Sequence, residues 1–586
     1  AAEQESPRGP HYRPHLAEGG KGTAAITQAL VRILFFLIPL AALPYLHDSF
    51  ALPKAFLFWM FIPLFFAADS FASDRDECPV YFLTALYFLC SLFSIYPSLS
   101  FKGLYRYYFA GFFALFAGFA LFRILRMFPQ PVLKKHLSAL LFSILLSAAA
   151  VFGFSGGRIS ATFGNPNFFG AVLAAAMPYA LYFSLSKPLY LTHLLFFAAA
   201  LLMTLSRASW IGLGAGLIFF IFAASNKEGI AVTRKKAALK MLSAAVLITA
   251  GLLIISPNFS GALFRRAASI FDMSDADIVS RFEGYAASLS MFRERPLFGG
   301  GPESFSILFR AHAPISFISG TGGLAHAGYS HCYPLQLLAE TGLAGFGAWL
   351  FLIFILFKKA LSSKDLFKKA AGAALAAFIV TNLFAFPSVT ELMIFWFSAA
   401  VIYGPREGRA PAGKISRNKG RLAGACAAFL LLSLPLVSEI FFAAAFKSPD
   451  DAKAYILFRR AAMFFPADHH LMNAGKRCML TYDETRSPSW IERAEYFFEK
   501  LVGRNPRHAL ALNGMGVAAR EKLELYKAQE HAARAEVFFQ RAVANDPYLR
   551  AARVNLALLF EKESRFDEAL GCYEEALEIY RDDQQM

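Results

Sequence analysis

The chain has 586 residues, of which 56% are hydrophobic and 16% are aromatic. This composition excludes a soluble globular protein of that length and predicts several membrane spans. We attribute the net charge of +16 to the basic loops of a membrane protein, rather than to nucleic-acid binding. The six cysteines show no CxxC or Cys/His spacing, so neither a disulfide framework, a metal site nor a cofactor is expected.

After a polar N-terminal tail at residues 1–24, the sequence predicts an all-α, polytopic membrane bundle over residues 25–446. About 12–13 hydrophobic runs are each close to the ~20 residues that cross a bilayer. The candidate spans lie near residues 25–46, 51–68, 79–97, 104–125, 137–155, 167–186, 188–205, 209–225, 238–256, 333–357, 371–387, 390–404 and 422–446. The pair around Pro387 also fits a re-entrant hairpin.

Basic residues in the short loops predict the orientation of the bundle, because Lys and Arg accumulate on the cytoplasmic side. Counting from an inside N-terminus, every strongly basic short loop falls on one side of the membrane. These loops span residues 123–135, 227–236, 358–369 and 406–421. The large polar loop 257–332 then faces outward, as do residues 158–167, the turn 205–209 and the chain after residue 446.

The C-terminal part, residues 447–586, is charged and shows a helical pattern that repeats. Ala535 and Ala569 are 34 residues apart, as are Ala542 and Ala576. This period is typical of tetratricopeptide repeats, in which helix pairs stack because each cannot bury its apolar face alone. The sequence therefore predicts a TPR-type α-solenoid that binds a protein partner. An irregular helical domain is the alternative.

Three outward-facing arginines stand out as candidate binding residues. Arg158 precedes the turn Gly164-Asn165-Pro166-Asn167 and is placed to bind an anionic head group. Arg207 lies in an apolar context, where a charge is costly and therefore usually paired or functional; a snorkelling side chain explains it equally well. Arg281 opens a helical pattern in which Phe282, Tyr285, Leu289 and Phe292 are predicted to form the packed face. A local ion pair is the alternative for Arg281.

Two further residues are candidates for acid–base work. His331 ends the large loop just before a span, and a neutral imidazole suits a general base near physiological pH. The alternative is a hydrogen-bonded structural histidine. Glu391 lies in the short outer turn between the last core spans. It is a candidate acid or orienting group, although a helix N-terminal charge explains it better.

Three segments together resemble the O-antigen ligase/polymerase superfamily of bacterial envelope glycosyltransferases. They are Gly164-Asn165-Pro166-Asn167, then Ser206-Arg207-Ala208-Ser209-Trp210, and finally Ser280-Arg281 through Arg295–Pro302 to His331 and Glu340-Thr341-Gly342-Leu343. The resemblance covers roughly residues 25–446. The family histidine is usually followed by Asn, whereas Cys332 follows here, so the side-chain amide that would help to orient a substrate is missing.

The resemblance implies a type C-like, metal-independent, inverting glycosyltransferase of the bacterial inner membrane. Its donor would be a glycan on undecaprenyl pyrophosphate at the outer face, and its acceptor a glycan repeat, lipid A core or protein hydroxyl. By carry-over, Arg207 and Arg281, together with Arg158, would bind the pyrophosphate, and His331 would act on the acceptor. Fixed guanidinium groups would stabilise the charge that grows on the leaving group.

Two alternatives stay open at this point. A protein O-oligosaccharyltransferase is one, because outward-facing repeats would present a protein acceptor. A transporter or assembly scaffold embedded in membrane lipids is the other. A transporter would need paired polar residues deep in the spans, where Thr381 and Asn382 are the main ones. A scaffold would not need three charged or titratable side chains on one face.

Overall fold

The computed structural model describes residues 18–68, 75–150, 158–223, 257–269, 272, 276–314, 328–406, 415 and 418–580. Within these ranges the secondary structure is helical apart from one isolated antiparallel bridge, between Ala68 and Ile415. The predicted all-α class is confirmed. The predicted span at 238–256 and the basic residues at 227–236 lie outside the described residues.

The bundle contains helices of very different length. They are Glu18–Leu40, Ala51–Trp59, Phe61–Ala67, Cys78–Leu92, Phe112–Leu125, Gln130–Ala149, Pro166–Ser184, Tyr190–Met203, Arg207–Ala223, Tyr333–Ser362, Leu366–Asn382, Val389–Tyr403 and Lys419–Phe446. Loop helices are Pro97–Lys102, Pro257–Ala268, Ala276–Glu294 and Phe305–His312.

Fewer helices than predicted are long enough to cross a membrane. Among the described residues, 4 helices have sufficient length and apolar character: Gln130–Ala149, Pro166–Ser184, Tyr333–Ser362 and Lys419–Lys447. The other apolar stretches, such as Ala24–Leu40 and Val389–Tyr403, are 10–17 residues long. The run 51–68 divides at Met60. The run 104–125 becomes helical only from Phe112, because Arg106 and Tyr108 have positive φ angles that no right-handed helix accepts.

Small residues allow the central helices to approach closely. Gly212 lies against Thr381, where a Cβ on the glycine would come within 1.9 Å of the threonine Oγ1. One turn further, Gly216 lies against the Ala373 carbonyl. Lipid offers no hydrophobic drive between helices, so such close contact of small residues is what holds membrane helices together. The contact aligns Arg207–Ala223 with Leu366–Asn382.

A buried acid gathers the basic loops at one end of the bundle. Glu77 is fully buried and pairs with Arg123, with Arg126 at 2.5 Å and with Arg406 at 3.0 Å. The opposite end of the Phe112–Leu125 helix follows Ala110, whose backbone N–H donates to Glu303 of the large loop. The basic loops and the large loop therefore lie at opposite ends, which agrees with the predicted sidedness of the chain.

The C-terminal residues form an array in which each helix packs on the next. The helices are Asp451–Phe464, Asp468–Thr485, Ser489–Arg504, Ala509–Tyr526, Gln529–Asn545, Arg550–Lys562 and Phe566–Tyr580. The array returns to the bundle at the end that carries the large loop. Asp546 pairs with Arg310 at 2.6 Å, and the Tyr96 hydroxyl donates to Asp468 at 2.6 Å. The assignment of these helices as tetratricopeptide units stays a prediction.

Candidate active site

His331 lies on a tight turn directly before the Tyr333–Ser362 helix. Its φ angle of 56° is in the left-handed region, which costs a non-glycine residue energy and is common at functional sites. The turn is tied by Ser330, whose Oγ donates to the Cys332 carbonyl at 2.8 Å and accepts from the Cys332 N–H at 3.2 Å. The imidazole is exposed and lies 5.5 Å from the Phe386 ring.

A backbone seam holds the helix that follows His331. The helix is kinked at Gly342, where φ is 59° and ψ is −164°. The Leu343 N–H donates to the Pro296 carbonyl at 2.9 Å, and the Gly301 N–H donates to the Glu340 carbonyl at 2.8 Å. A Cβ at Gly342 would lie 2.4 Å from the Leu297 carbonyl carbon, so only glycine fits there. Backbone hydrogen bonds thus join the loop at Gly299–Gly301 and the segment Glu340–Leu343 into one structural unit.

The helix that carries Arg281 packs by a different face than predicted. Phe282 and Leu289 are 55% and 40% exposed, whereas the buried positions are the small residues Gly284 and Ala287 together with Met291. The prediction of an aromatic packed face is therefore wrong. Small side chains were overlooked because hydrophobic periodicity weights large residues, while close helix contact requires small ones.

That small-residue face brings the helix of Arg281 against the turn of His331. Gly284 lies against Ser330, and a Cβ on the glycine would be 2.9 Å from the Ser330 carbonyl oxygen. Arg281 is one helical turn earlier on the same face, since residues three apart are neighbours on a helix. Burial raises the pKa of Tyr285 to about 12, and the Arg281 charge acts in the opposite direction. The helix that carries this cation therefore packs against the turn that presents the imidazole.

Arg207 begins its helix and points into the large loop. The side chain is 6% exposed, and Nη1 donates to the Ser269 carbonyl at 2.8 Å and to its hydroxyl at 3.0 Å. Ser269 directly follows the Pro257–Ala268 helix. This geometry favours a paired arginine over a snorkelling one.

Arg158 joins two turns. Its Nε donates to the Thr204 carbonyl at 2.9 Å, and its Nη2 donates to Asn167 Oδ1 at 2.6 Å. It therefore connects the Gly164–Asn167 turn with the turn that precedes Arg207. The side chain is exposed, so a ligand still has access to it.

The segment after Asn382 is the point where these elements meet. The Leu383 carbonyl accepts from the Tyr285 hydroxyl at 3.5 Å, and the Ala385 carbonyl accepts from the Tyr333 N–H at 3.1 Å. The Phe386 ring contacts the His331 imidazole. The elements of Arg207, Arg281 and His331 all touch residues 381–386.

Glu391 supports that segment instead of facing a substrate. It is fully buried, and it forms a capping box with Ser388 at the start of the Val389–Tyr403 helix. Its Oε2 accepts from the Ser388 N–H at 2.7 Å, and its Oε1 accepts from the Asn382 amide at 3.2 Å. These contacts favour a capping and orienting role for Glu391, and its role as a candidate acid stays a prediction.

Two buried carboxylates escaped the analysis of the sequence. Glu303 is 1% exposed and accepts from the Ala110 N–H at 3.2 Å and from the Tyr329 hydroxyl at 3.1 Å. Glu340 is equally buried and accepts from the Phe305 N–H at 3.3 Å. Burial raises the pKa of Glu303 to about 7. The sequence offered two signals for these residues: an acid next to Pro302 and an acid within an apolar helix. A buried acid is usually paired with another group.

Residues 192–350 match the family model described as O-antigen ligase. The match includes Arg207, Arg281 and His331, and it leaves out Arg158, Glu391 and the C-terminal array. No curated protein matches the chain.

Proposed function

Because this chain is a member of the O-antigen ligase/polymerase family through its domain at residues 192–350, we propose that it transfers a glycan from undecaprenyl pyrophosphate to an acceptor hydroxyl. The family membership supports a membrane glycosyltransferase of this general type. The lipid carrier, the side of the membrane on which the site lies and the acceptor are parts of the proposal. The reaction would take place at the outer face of a bacterial inner membrane.

One observation carries the assignment: the Arg281 helix packs through Gly284 on Ser330, directly beside His331. This packing supports a site in which a cation for the leaving group and a base for the nucleophile are neighbours. Arg207, anchored on Ser269, and the exposed Arg158 supply further positive charge from neighbouring turns.

The residues suit a single displacement. The acceptor oxygen attacks the anomeric carbon, the bond from that carbon to the pyrophosphate oxygen breaks, and the configuration inverts. His331 takes the hydroxyl proton as general base, a role worth about 10²–10⁴-fold in rate. Guanidinium groups stabilise the departing pyrophosphate, whose negative charge grows in the transition state. The exposed turn of His331 leaves the imidazole within reach of an acceptor.

A protein acceptor is the second candidate, favoured by the C-terminal array. The array meets the bundle at the end of the large loop through Asp546 and Asp468, so a protein held there would be near the site. The transporter alternative has less support, because Thr381 packs against Gly212 in a contact between two helices and the Asn382 amide nitrogen donates to Glu391.

Consumption of a carrier-linked glycan by the purified protein in detergent tests the proposal. We expect wild type to release undecaprenyl pyrophosphate when glycan, lipid A core or peptide acceptors are supplied. The variants His331→Ala and Arg281→Ala should lose about 10²-fold or more of the rate.

Arg293→Ala is the matched control, since Arg293 is exposed on the same helix as Arg281 and its removal changes the net charge equally. Full activity of His331→Ala would make the histidine structural and require another base. No release with any acceptor would favour a transporter or scaffold.

A further inference from the structure

A cavity of about 350 Å³ lies at the end of the bundle that carries the large loop. Four segments that are distant in the sequence build it: residues 47–54 after the first helix, residues 106–109, the turn 163–168 and the turn 387–389. None of the residues assigned above to pyrophosphate or to proton transfer lines it. Its size suits one or two sugar rings.

The cavity reaches the wall against which His331 rests. Tyr107 and Phe168 line it and also pack on Phe386, with ring centroids 5.6 and 5.5 Å apart. Phe386 also contacts the His331 imidazole, with ring centroids 5.5 Å apart. A molecule in the cavity would therefore lie one aromatic ring away from the base.

The lining combines aromatic rings with polar groups. Besides Tyr107 and Phe168, the cavity is bordered by Asn165, Ser388 and Arg106. The Asn165 Oδ1 accepts from the Asn167 N–H at 2.8 Å, so the side chain is held in one orientation. Flat apolar surfaces between a few well-oriented polar groups match the alternating faces and hydroxyls of a saccharide.

Arg106 adds a positive charge at an unusual backbone position. Its φ angle is 75°, and that of Tyr108, two residues on, is 56°. Two positive φ angles so close in the chain cost energy and persist only where surrounding contacts enforce them. Tyr108 is 4% exposed and packs edge-on against Trp59, with ring centroids 5.7 Å apart. The rigid loop presents the guanidinium at the edge of the cavity, where it is exposed.

The charge of Arg106 is not matched by an acid. Within the described ranges its one hydrogen bond runs from Nη2 to His47 Nδ1 at 3.3 Å, and it makes no ion pair there. The nearby Asp48 carboxylate accepts from the Ala51 and Leu52 N–H groups at 3.0 and 3.2 Å, so it serves the start of a helix. An anionic group in the cavity would be the natural partner of this guanidinium.

We propose that this cavity is an acceptor subsite for a saccharide that bears a carboxylate or phosphate, with Arg106 pairing that anion and the aromatic walls holding the rings. The inference rests on the proposed transferase function and names the chemical class of its acceptor. It goes beyond the donor site, because every residue that it uses lies outside residues 192–350.

Binding to the full-length protein in detergent, measured by calorimetry without any donor, tests the subsite. The probes are a glucuronic acid-bearing trisaccharide, its neutral methyl ester and a trisaccharide monophosphate. We expect wild type to bind at least one anionic probe about tenfold more tightly than the ester. Comparison of the two anionic probes shows whether the subsite prefers a carboxylate or a phosphate. Equal binding of the acid and its ester, with no gain for the phosphate, would overturn the proposal.

Arg106→Gln and Arg106→Gly should each remove that preference. Glycine accepts a positive φ without strain, so Arg106→Gly deletes the charge in a chain that keeps its fold, as a thermal melt would verify. Arg293→Gln, with an equal change in net charge, should leave binding intact. Retention of the preference in the folded Arg106→Gly variant would overturn the proposal, and so would binding of a Ser/Thr peptide with no saccharide bound.

The outcome is separable from that of the transfer assay. His331→Ala should still bind the anionic probe, because the cavity does not include the imidazole. Arg106-dependent binding without any glycan transfer would refute the transferase and leave the subsite. Transfer with an unchanged acceptor KM in Arg106→Gly would refute the subsite and leave the transferase.

Discussion

At the scale of single residues, buried carboxylates organise the large loop. Glu303 ties the loop to Ala110 at the start of a bundle helix, and Glu340, on the Tyr333–Ser362 helix, accepts from Phe305 of the loop. Glu303 also accepts from Tyr329, two residues before His331, so we interpret both acids as positioning residues. Burying an acid is costly unless it is hydrogen-bonded or protonated; Glu303 is hydrogen-bonded, and burial raises its pKa.

The raised pKa of Glu303 predicts a pH-dependent stability. Its folded pKa of about 7 exceeds the usual value of 4.5, so the folded protein binds the proton more tightly than the unfolded chain does. This contribution is complete below the unfolded pKa and is lost as pH rises through about 7. Melting temperatures of wild type should therefore fall between about pH 6 and about pH 8.

Glu303→Gln should flatten that dependence. A glutamine keeps an acceptor for the Ala110 N–H and donates to the Tyr329 oxygen, so it imitates the protonated acid. We expect it to melt higher than wild type at about pH 8 and similarly at about pH 5. Parallel melting curves for both proteins across this range would show that the acid does not titrate there.

At the scale of elements, the C-terminal array braces the loop around the site. Arg310, on the Phe305–His312 helix, pairs with Asp546 at 2.6 Å, with side-chain exposures of 15% and 9%. Arg310 also donates to the Tyr548 carbonyl at 2.9 Å. Tyr548 packs on the small core formed by Phe305, Phe309 and Met291. The array is thus a structural support for the loop as well as a candidate binding surface.

Breaking this pair should loosen the loop. Because both partners are shielded, removal of one leaves a poorly compensated charge, and we expect a coupling of about 1–3 kcal/mol in a double-mutant cycle of Arg310→Gln and Asp546→Asn. Thermal melts measure the coupling, and limited proteolysis should show faster cleavage between residues 296 and 314.

The pair of Arg534 and Glu499 within the array is the control. Its side chains are 44% and 56% exposed, and exposed pairs contribute about 0–1 kcal/mol. A coupling at Arg310 no larger than the coupling at this control pair would mean that the array does not brace the loop.

At the scale of the whole molecule, the buried Glu77 and the array mark opposite ends of the bundle. The three arginines paired with Glu77 belong to the basic loops predicted to be cytoplasmic. The array and the large loop occupy the other end. The positive-inside rule then predicts that the array lies on the outer side of the membrane.

Two native cysteines report on this orientation. Cys78 is exposed next to Glu77, and Cys572 lies on the last helix of the array. In single-cysteine variants, a membrane-impermeant maleimide added to spheroplasts should label Cys572 and spare Cys78. Lysis of the cells should make Cys78 reactive. Labelling of Cys78 in intact spheroplasts would invert the proposed orientation.

Local information in the sequence determined the class of the protein and most of its helices. The hydrophobic run 390–404 corresponds closely to Val389–Tyr403, and the run 371–387 overlaps Leu366–Asn382 with a shift of five residues, because a membrane helix satisfies its own backbone and needs only an apolar surface. The distribution of Lys and Arg also predicted which loops share an end. The charges of Arg207 and Arg281 stood out for the same reason, since charge is rare in an apolar chain.

Only the tertiary structure decided which distant segments meet. The seam between Pro296 and Leu343, the packing of Gly284 on Ser330 and the cavity beside Phe386 each join residues that are far apart in the chain. Backbone hydrogen bonds and contacts between small residues hold these segments together, and neither leaves a periodic signal in a single sequence. The capping box of Glu391 is a tertiary finding of the same kind, because it depends on what surrounds the carboxylate.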